Sequence, residues 1–386
     1  MALKLGTRGQ IPSFLVMDVL REANRLAGEG ADILHLEVGQ PSTGAPEGVV
    51  AEATRLLRAS PLGYTDALGL PKLRERIAGH YAETYGVTVD PARIAVTVGA
   101  SGAFLLGFLA AFDAGDRVAL AAPGYPAYRH ILTALDIEAV ELEASEEDRF
   151  QPTPALLDKV EGRLDGLIVA SPSNPTGTMI PPADFAALAA YCTRRGIRLV
   201  SDEIYHGVTY GMPAITAAEI APDALVINSF SKYFSMTGWR LGWMIVPPDL
   251  VRAVECLAQN MVISAPTLSQ AAAIAAFDCH DELRANVRRY AANRELLLNE
   301  LPKAGFSHFA PPDGAFYLYA DVASLTNDSE EFCRCMLVET GVATAPGRDF
   351  DGGRGNRFVR FSFAGSTETM AAAAKRLAAW RQPKTP

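Results

Sequence analysis

Between Ile94 and Val246 the sequence alternates short apolar, β-branched runs with stretches of helical periodicity, and this rhythm constrains the fold more than any other feature. Seven runs read as strands: Ile94–Val98, Arg117–Ala121, Ala139–Leu142, Gly166–Ala170, Arg198–Ser201, Leu225–Asn228 and Gly242–Val246. Helices are expected over Gly102–Phe112, Pro182–Arg194 and Leu250–Ala258. Strands separated by helices pair in parallel, because a parallel neighbour needs a crossover long enough to hold a helix. The expectation is an α/β fold with a mostly parallel sheet of about seven strands, covered by helices. Beyond this stretch the pattern changes. Asp281–Leu301 reads as a long amphipathic helix, Gly314–Asp321 and Arg357–Phe363 alternate like half-exposed strands, and Glu368–Trp380 reads as a closing helix. A large domain over residues 40–280 and a smaller α+β domain from 1–39 with 281–386 are the expected division.

Nearly half of the 386 residues are hydrophobic, enough for a sizeable core. The net charge of −9 argues against nucleic acid or an anionic membrane as partner, since both require a basic footprint. Met1-Ala2-Leu3-Lys4 has no signal-peptide apolar region, and no run is long enough to span a bilayer. The cysteines Cys192, Cys256, Cys279, Cys333 and Cys335 are odd in number and contain no C-x₂-C pair. They read as reduced, mostly buried thiols of a cytoplasmic protein.

In open α/β sheets ligands bind at the carboxyl ends of the strands, so the residues that follow each run are where chemistry is sought. The run ending at Asn228 leads into Ser229-Phe230-Ser231-Lys232 and then Met236-Thr237-Gly238-Trp239-Arg240. A lysine desolvated at a strand end loses its proton more easily and becomes a nucleophile or base. Arg240 cannot deprotonate and offers a fork for a phosphate, with Ser229 and Ser231 as further donors. The run ending at Ser201 leads into Asp202-Glu203-Ile204-Tyr205. Taken alone, Asp202 reads first as a helix N-cap with Glu203 in the first turn. The other reading is a buried carboxylate facing a cation. Asn174 sits in Ser173-Asn174-Pro175-Thr176-Gly177 and reads equally as a turn residue or an amide donor at the sheet edge. In Pro123-Gly124-Tyr125-Pro126 the prolines fix a loop that presents the Tyr125 ring. Gly99-Ala100-Ser101-Gly102, before an apolar helix, offers the Ala100 and Ser101 amides as a phosphate cradle. It departs from the G-x-G-x-x-G dinucleotide turn.

Together these segments resemble the class I/II aminotransferases of the pyridoxal-phosphate-dependent fold type I, the aspartate aminotransferase-like group, over essentially the whole chain. The resemblance rests on Asn174-Pro175-Thr176-Gly177, Asp202-Glu203-Ile204-Tyr205 and the run from Ser229 to Arg240. It implies pyridoxal 5′-phosphate bound through Lys232 as a Schiff base, with Asp202 beside the pyridine nitrogen, Tyr205 and Asn174 on the phenolate oxygen and Tyr125 against the ring. Ala100, Ser101, Ser229, Ser231 and Arg240 would hold the phosphate. It further implies a homodimer with shared active sites, in which Tyr64 reaches the phosphate of the neighbouring subunit. By the same resemblance Arg360 clamps the substrate carboxylate and Gly39 touches it through its backbone.

The implied reaction is transfer of an amino group from an L-amino acid to a 2-oxo acid, with Lys232, Asp202 and Tyr205 as the catalytic set. A carbon–sulfur β-lyase of the same family is the alternative, and a non-enzymatic regulator carrying an aminotransferase-like domain is a remote one. Ile11, Pro12 and Phe14 match the stretch that lines the substrate pocket in this family. With Tyr64, Tyr125 and Tyr317 they point to a neutral or aromatic donor. Ser101 stands where an acidic-substrate branch carries lysine.

Overall fold

The computed structural model describes residues 3–380, so both outer ends of the expected small domain lie outside the described residues. All seven expected runs form one sheet. Its strands are β1 (Ile94–Thr97), β2 (Arg117–Ala122), β3 (Glu138–Glu143), β4 (Gly166–Ala170), β5 (Arg198–Asp202), β6 (Leu225–Ser229) and β7 (Gly242–Ile245). The order is β1-β7-β6-β5-β4-β2-β3, and β7 alone runs antiparallel to its neighbours. Central strands bury both faces, with Leu167 and Val169 in one core and Ile168 in another. That is why they read as continuous apolar runs rather than alternating ones. At the edge, β3 exposes Glu138, Glu141 and Glu143, charges that discourage a further strand from pairing there.

A second sheet carries β8 (His308–Phe309), β9 (Tyr317–Asp321), β10 (Ala345–Pro346) and β11 (Phe358–Ser362) in the order β10-β11-β9-β8. The run expected from Gly314 begins as a strand only at Tyr317, because Ala315 adopts φ +54° and turns the chain first. Leu34–His35 pairs in parallel with Val342–Ala343, which ties the N-terminal segment to the C-terminal third. Ahead of it lies helix α1 (Leu15–Gly28). The long C-terminal helices occur where expected, at His280–Glu300 and Thr367–Ala379, the latter capped by Ser366.

Two helix boundaries move by three residues, the end of the helix expected at Leu250–Ala258, which is observed as Val251–Met261, and the start of the helix after β1. Helix α2 begins at Gly99 rather than Gly102 and runs to Ala111. It is apolar on all sides because it packs into the core on one face of the large sheet through Ala103, Phe104 and Phe108. The cysteines are unpaired, but only Cys192 and Cys333 are buried, which corrects the expectation of mostly buried thiols. Among the described residues no helix is long and apolar enough to cross a membrane.

Candidate active site

The carboxyl ends of β4, β5 and β6, the start of α2 and the loop after β2 surround a cavity of about 190 Å³. Gly39, Ala100, Ser101, Tyr125, Asn174, Asp202, Tyr205, Ser231, Lys232, Arg240 and Arg360 all line it. These residues are spread over more than 300 positions of sequence and meet because each follows, or packs against, a strand end.

Lys232 Nζ donates a hydrogen bond to the Gly39 carbonyl at 2.5 Å. Desolvation, then the cations Arg360 and Arg240, pull its pKa down to about 8, while Asp202 pulls the other way. Asp202 is buried. Its Oδ1 accepts from the Ile204 N–H at 3.0 Å, and its Oδ2 accepts from the Tyr128 hydroxyl. Burial outweighs these donors and lifts its pKa to about 6. No helix follows it: residues 204–207 form turns, and the next helix begins at Ala217. The N-cap reading of Asp202 is therefore wrong, and Glu203 is not a first-turn acid. Glu203 is buried away from the cavity, where it accepts from the Ala217 N–H at 2.7 Å and the Thr216 hydroxyl at 2.9 Å.

Arg240 lies against the start of α2. Gly99 has φ +66°, which favours glycine, and a Cβ there would fall 2.6 Å from Arg240 Nη2 and push the guanidinium away from the helix N-terminus. Its side chain donates to the Thr237 carbonyl at 3.0 Å, and among the described residues no carboxylate pairs with it. Together with the Ala100 and Ser101 amides in the first turn of α2, this makes a compact anion cradle.

Arg360, on β11, is buried between the rings of Tyr317 and Phe350, its guanidinium carbon 4.4 and 4.7 Å from their centroids. Nη1 donates to Asn174 Oδ1 at 2.7 Å, and Nη2 donates to the Glu37 carbonyl. Nε has no partner, and among the described residues no carboxylate pairs with this arginine. A buried cation without a counter-ion is costly, so the site is built to receive an anion. Asn174, with its oxygen taken by Arg360, keeps its amide nitrogen as a donor. The Tyr205 and Tyr317 hydroxyls are 2.6 Å apart. Gly39 makes room for them, since a Cβ there would lie 1.7 Å from Tyr317 Oη.

Two expected site residues do not reach the wall. Ser229 is buried behind it, its hydroxyl 3.0 Å from the Leu241 carbonyl and 2.9 Å from the Ser231 hydroxyl, so it supports Ser231 rather than facing the cavity. Tyr64 is 84% exposed and lies outside the cavity of its own chain. Of the stretch thought to line the substrate pocket, Phe14 does so, together with Val16 and Met17, whereas Ile11 and Pro12 are exposed. Sequence reading missed Tyr128 and Thr237. Tyr128 stands in the first turn of the helix for which Tyr125 is the N-cap, and the two rings meet edge-on at 5.3 Å. Thr237 lay within a run already singled out.

The family model for aminotransferase class I and II matches residues 31–377. The chain belongs to this family. The enzyme is 50% identical over 381 residues to the valine–pyruvate aminotransferase of Mycobacterium tuberculosis, covering 98% of each chain. A crystal structure of an aminotransferase from Mycobacterium tuberculosis matches it with a TM-score of 0.96 at 50% identity, covering 98% of this chain and 99% of that one. Aspartate aminotransferase from Thermus thermophilus with maleate matches at a TM-score of 0.91 and 32% identity, covering 98% and 100%. The α/β architecture is thus that of the aspartate aminotransferase-like fold. The protein is an aminotransferase that moves amino groups between amino acids and oxo acids.

Proposed function

We propose that this aminotransferase exchanges the amino group of neutral, apolar L-amino acids such as valine with small neutral 2-oxo acids such as pyruvate, using pyridoxal 5′-phosphate. The observation that carries the substrate class is the cavity wall. Beyond the polar groups, it consists of Phe14, Val16, Met17, Val38, Ala100, Phe104, Ala170 and Ile204 with Gly39, and its cations are Lys232, Arg240 and Arg360. Each of the three has a task, so among the described residues none is left for a second carboxylate. The name of the 50%-identical relative supports the same reading.

The residues fit the cofactor. Arg240 and the α2 amides, without a carboxylate partner, suit a phosphate, helped by the Ser101 and Ser231 hydroxyls, with Ser229 bracing Ser231. Asp202, buried and raised in pKa, suits a cationic ring nitrogen. Asn174 and Tyr205 would donate to the ring oxygen, and Tyr125 would cover the ring face. When bound, the cofactor supplies a carbonyl that bonds reversibly to amines and an electron-poor ring that draws charge from the adjacent carbon. Arg360 holds the substrate carboxylate with help from the Gly39 backbone. Lys232 Nζ takes the α-proton and returns it, a task for which its lowered pKa suits it.

The proposal extends to a cytoplasmic homodimer, in which the exposed Tyr64 completes the phosphate site of the other subunit. We also keep the division into a large domain over 40–280 and a small one from 1–39 with 281–386.

The test is a panel of amino donors, each with pyruvate and with 2-oxoglutarate. Valine with pyruvate is expected to give a kcat/KM at least about tenfold above aspartate or glutamate with any acceptor. A preference for acidic donors would overturn the substrate class. Arg360→Leu is expected to raise KM for amino and oxo acids alike, a loss of about 2–5 kcal/mol for a desolvated pair. An equal loss toward amines without a carboxylate would show instead that Arg360 serves the fold.

A further inference from the structure

Helix α1 starts without a cap of its own. The residue in the N-cap position is Phe14, which has no side-chain acceptor, and the first orphan amides of a helix need one. They find it 334 positions away. Asp349 Oδ1 accepts from the Leu15 N–H and Oδ2 from the Val16 N–H, each at 3.1 Å. This frees position 14 to carry an apolar ring, which meets the Tyr125 ring edge-on at 5.8 Å. Phe14, Val16 and Met17 then form one wall of the active-site cavity.

Asp349 belongs to the turn Gly347–Asp349 that follows β10. The same turn makes three further contacts, two of them with the site. Its neighbour Phe350 lies under the Arg360 guanidinium, and the Phe350 carbonyl accepts from the Gly124 N–H at 2.9 Å, next to Tyr125. The Asp349 carbonyl accepts from Arg129 Nη2 at 2.5 Å. Asp349 itself is only 2% exposed, so its carboxylate is committed to these amides. Burial raises its pKa and the two amides lower it, as expected of a carboxylate spent on a helix start.

We infer that Asp349 is a positioning residue for side-chain selection: by capping α1 it fixes Phe14, Val16 and Met17 at a set distance from Arg360, and so sets the room available to the substrate side chain. This rests on the neutral-donor reading above. A donor whose side chain meets that wall should depend on Asp349. Alanine, with a single methyl, should depend on it little.

The test compares Asp349→Asn and Asp349→Ala with the unaltered holoenzyme, using valine and alanine as donors, 2-oxobutyrate as the common acceptor and pyridoxal phosphate in excess. Asp349→Asn keeps the shape but turns an NH₂ toward one of the two helix amides. The valine KM is expected to rise about tenfold, the size of a lost cap, with kcat within about twofold, and alanine kinetics within about twofold. In a Phe14→Ala background the effect of Asp349→Asn on valine should largely vanish, since both act through one wall. Equal losses for both donors, or additive effects with Phe14→Ala, would overturn the inference, as would collapse of both Asp349 variants in thermal unfolding. Failure of the parent reading shows separately, in the unaltered enzyme preferring an acidic donor. The comparison is then made with that best donor against alanine.

Discussion

Lys232→Ala is expected to lower turnover by about four orders of magnitude or more, because one side chain supplies both the covalent anchor and the proton shuttle. No other amine among the described residues is placed to substitute. Among the described residues Lys232 is the only lysine on the cavity wall, and the other wall cations are arginines, which do not deprotonate. The loss should fall on kcat and kcat/KM alike, while Arg360 still binds carboxylates. Borohydride reduction of the unaltered holoenzyme followed by peptide mapping should locate the cofactor on Lys232. A map that placed it on another lysine would remove the assignment. In the apoprotein, labelling of Lys232 by an amine-reactive reagent should rise with pH through about 8, where burial and two neighbouring arginines have brought its pKa.

The central fold was readable because burial on both sheet faces forces unbroken apolar stretches in β4 and β6, Leu167–Ala170 and Leu225–Ile227, and such stretches are hard to mistake. The start of α2 was not. Gly99-Ala100-Ser101-Gly102 has the propensity of a loop, and its helical turn is dictated by contact with Arg240 and the core, neither of which is local. The local reading of Asp202 as a helix cap failed for a similar reason, although the site role given to it stands on the cavity wall. Asp-Glu before an apolar residue is the local signature of a helix start, and Tyr128, the partner that distinguishes the two readings, stands 74 positions away. Ser229 was misplaced because hydroxyls at a strand end look equivalent in sequence, although the strand holds this one toward the Leu241 carbonyl. The link from Asp349 to α1 left no sequence signal, since neither partner has a pattern that names the other.

Asp202→Asn separates stability from activity, and the two are expected to move in opposite directions. The carboxyl is buried, with the Ile204 N–H and the Tyr128 hydroxyl as donors, and burial lifts its pKa from the ordinary carboxylate value to about 6. A carboxyl that holds its proton more tightly when folded favours the fold at low pH. That contribution is lost as pH rises through about 6, because ionisation must then occur in a desolvated site. At pH 7 the cost is on the order of 1–3 kcal/mol. Asparagine fills nearly the same space, keeps an oxygen for Ile204, and can donate to the Tyr128 oxygen once that hydroxyl turns. The apoprotein of Asp202→Asn should therefore melt no lower than the unaltered apoprotein at pH 7, and should lose the decline in stability between about pH 4 and 6. Its activity should fall by about two to four orders of magnitude. Without the carboxylate, no other acid among the described residues of the cavity wall keeps a ring nitrogen protonated, and the α-proton that Lys232 must take becomes less acidic. The loss should lie in proton abstraction, visible as a primary isotope effect with α-deuterated donor and cofactor still bound. Near-normal turnover would show that Asp202 only braces the turn after β5, and a large fall in apoprotein melting temperature would show that its charge supports the fold.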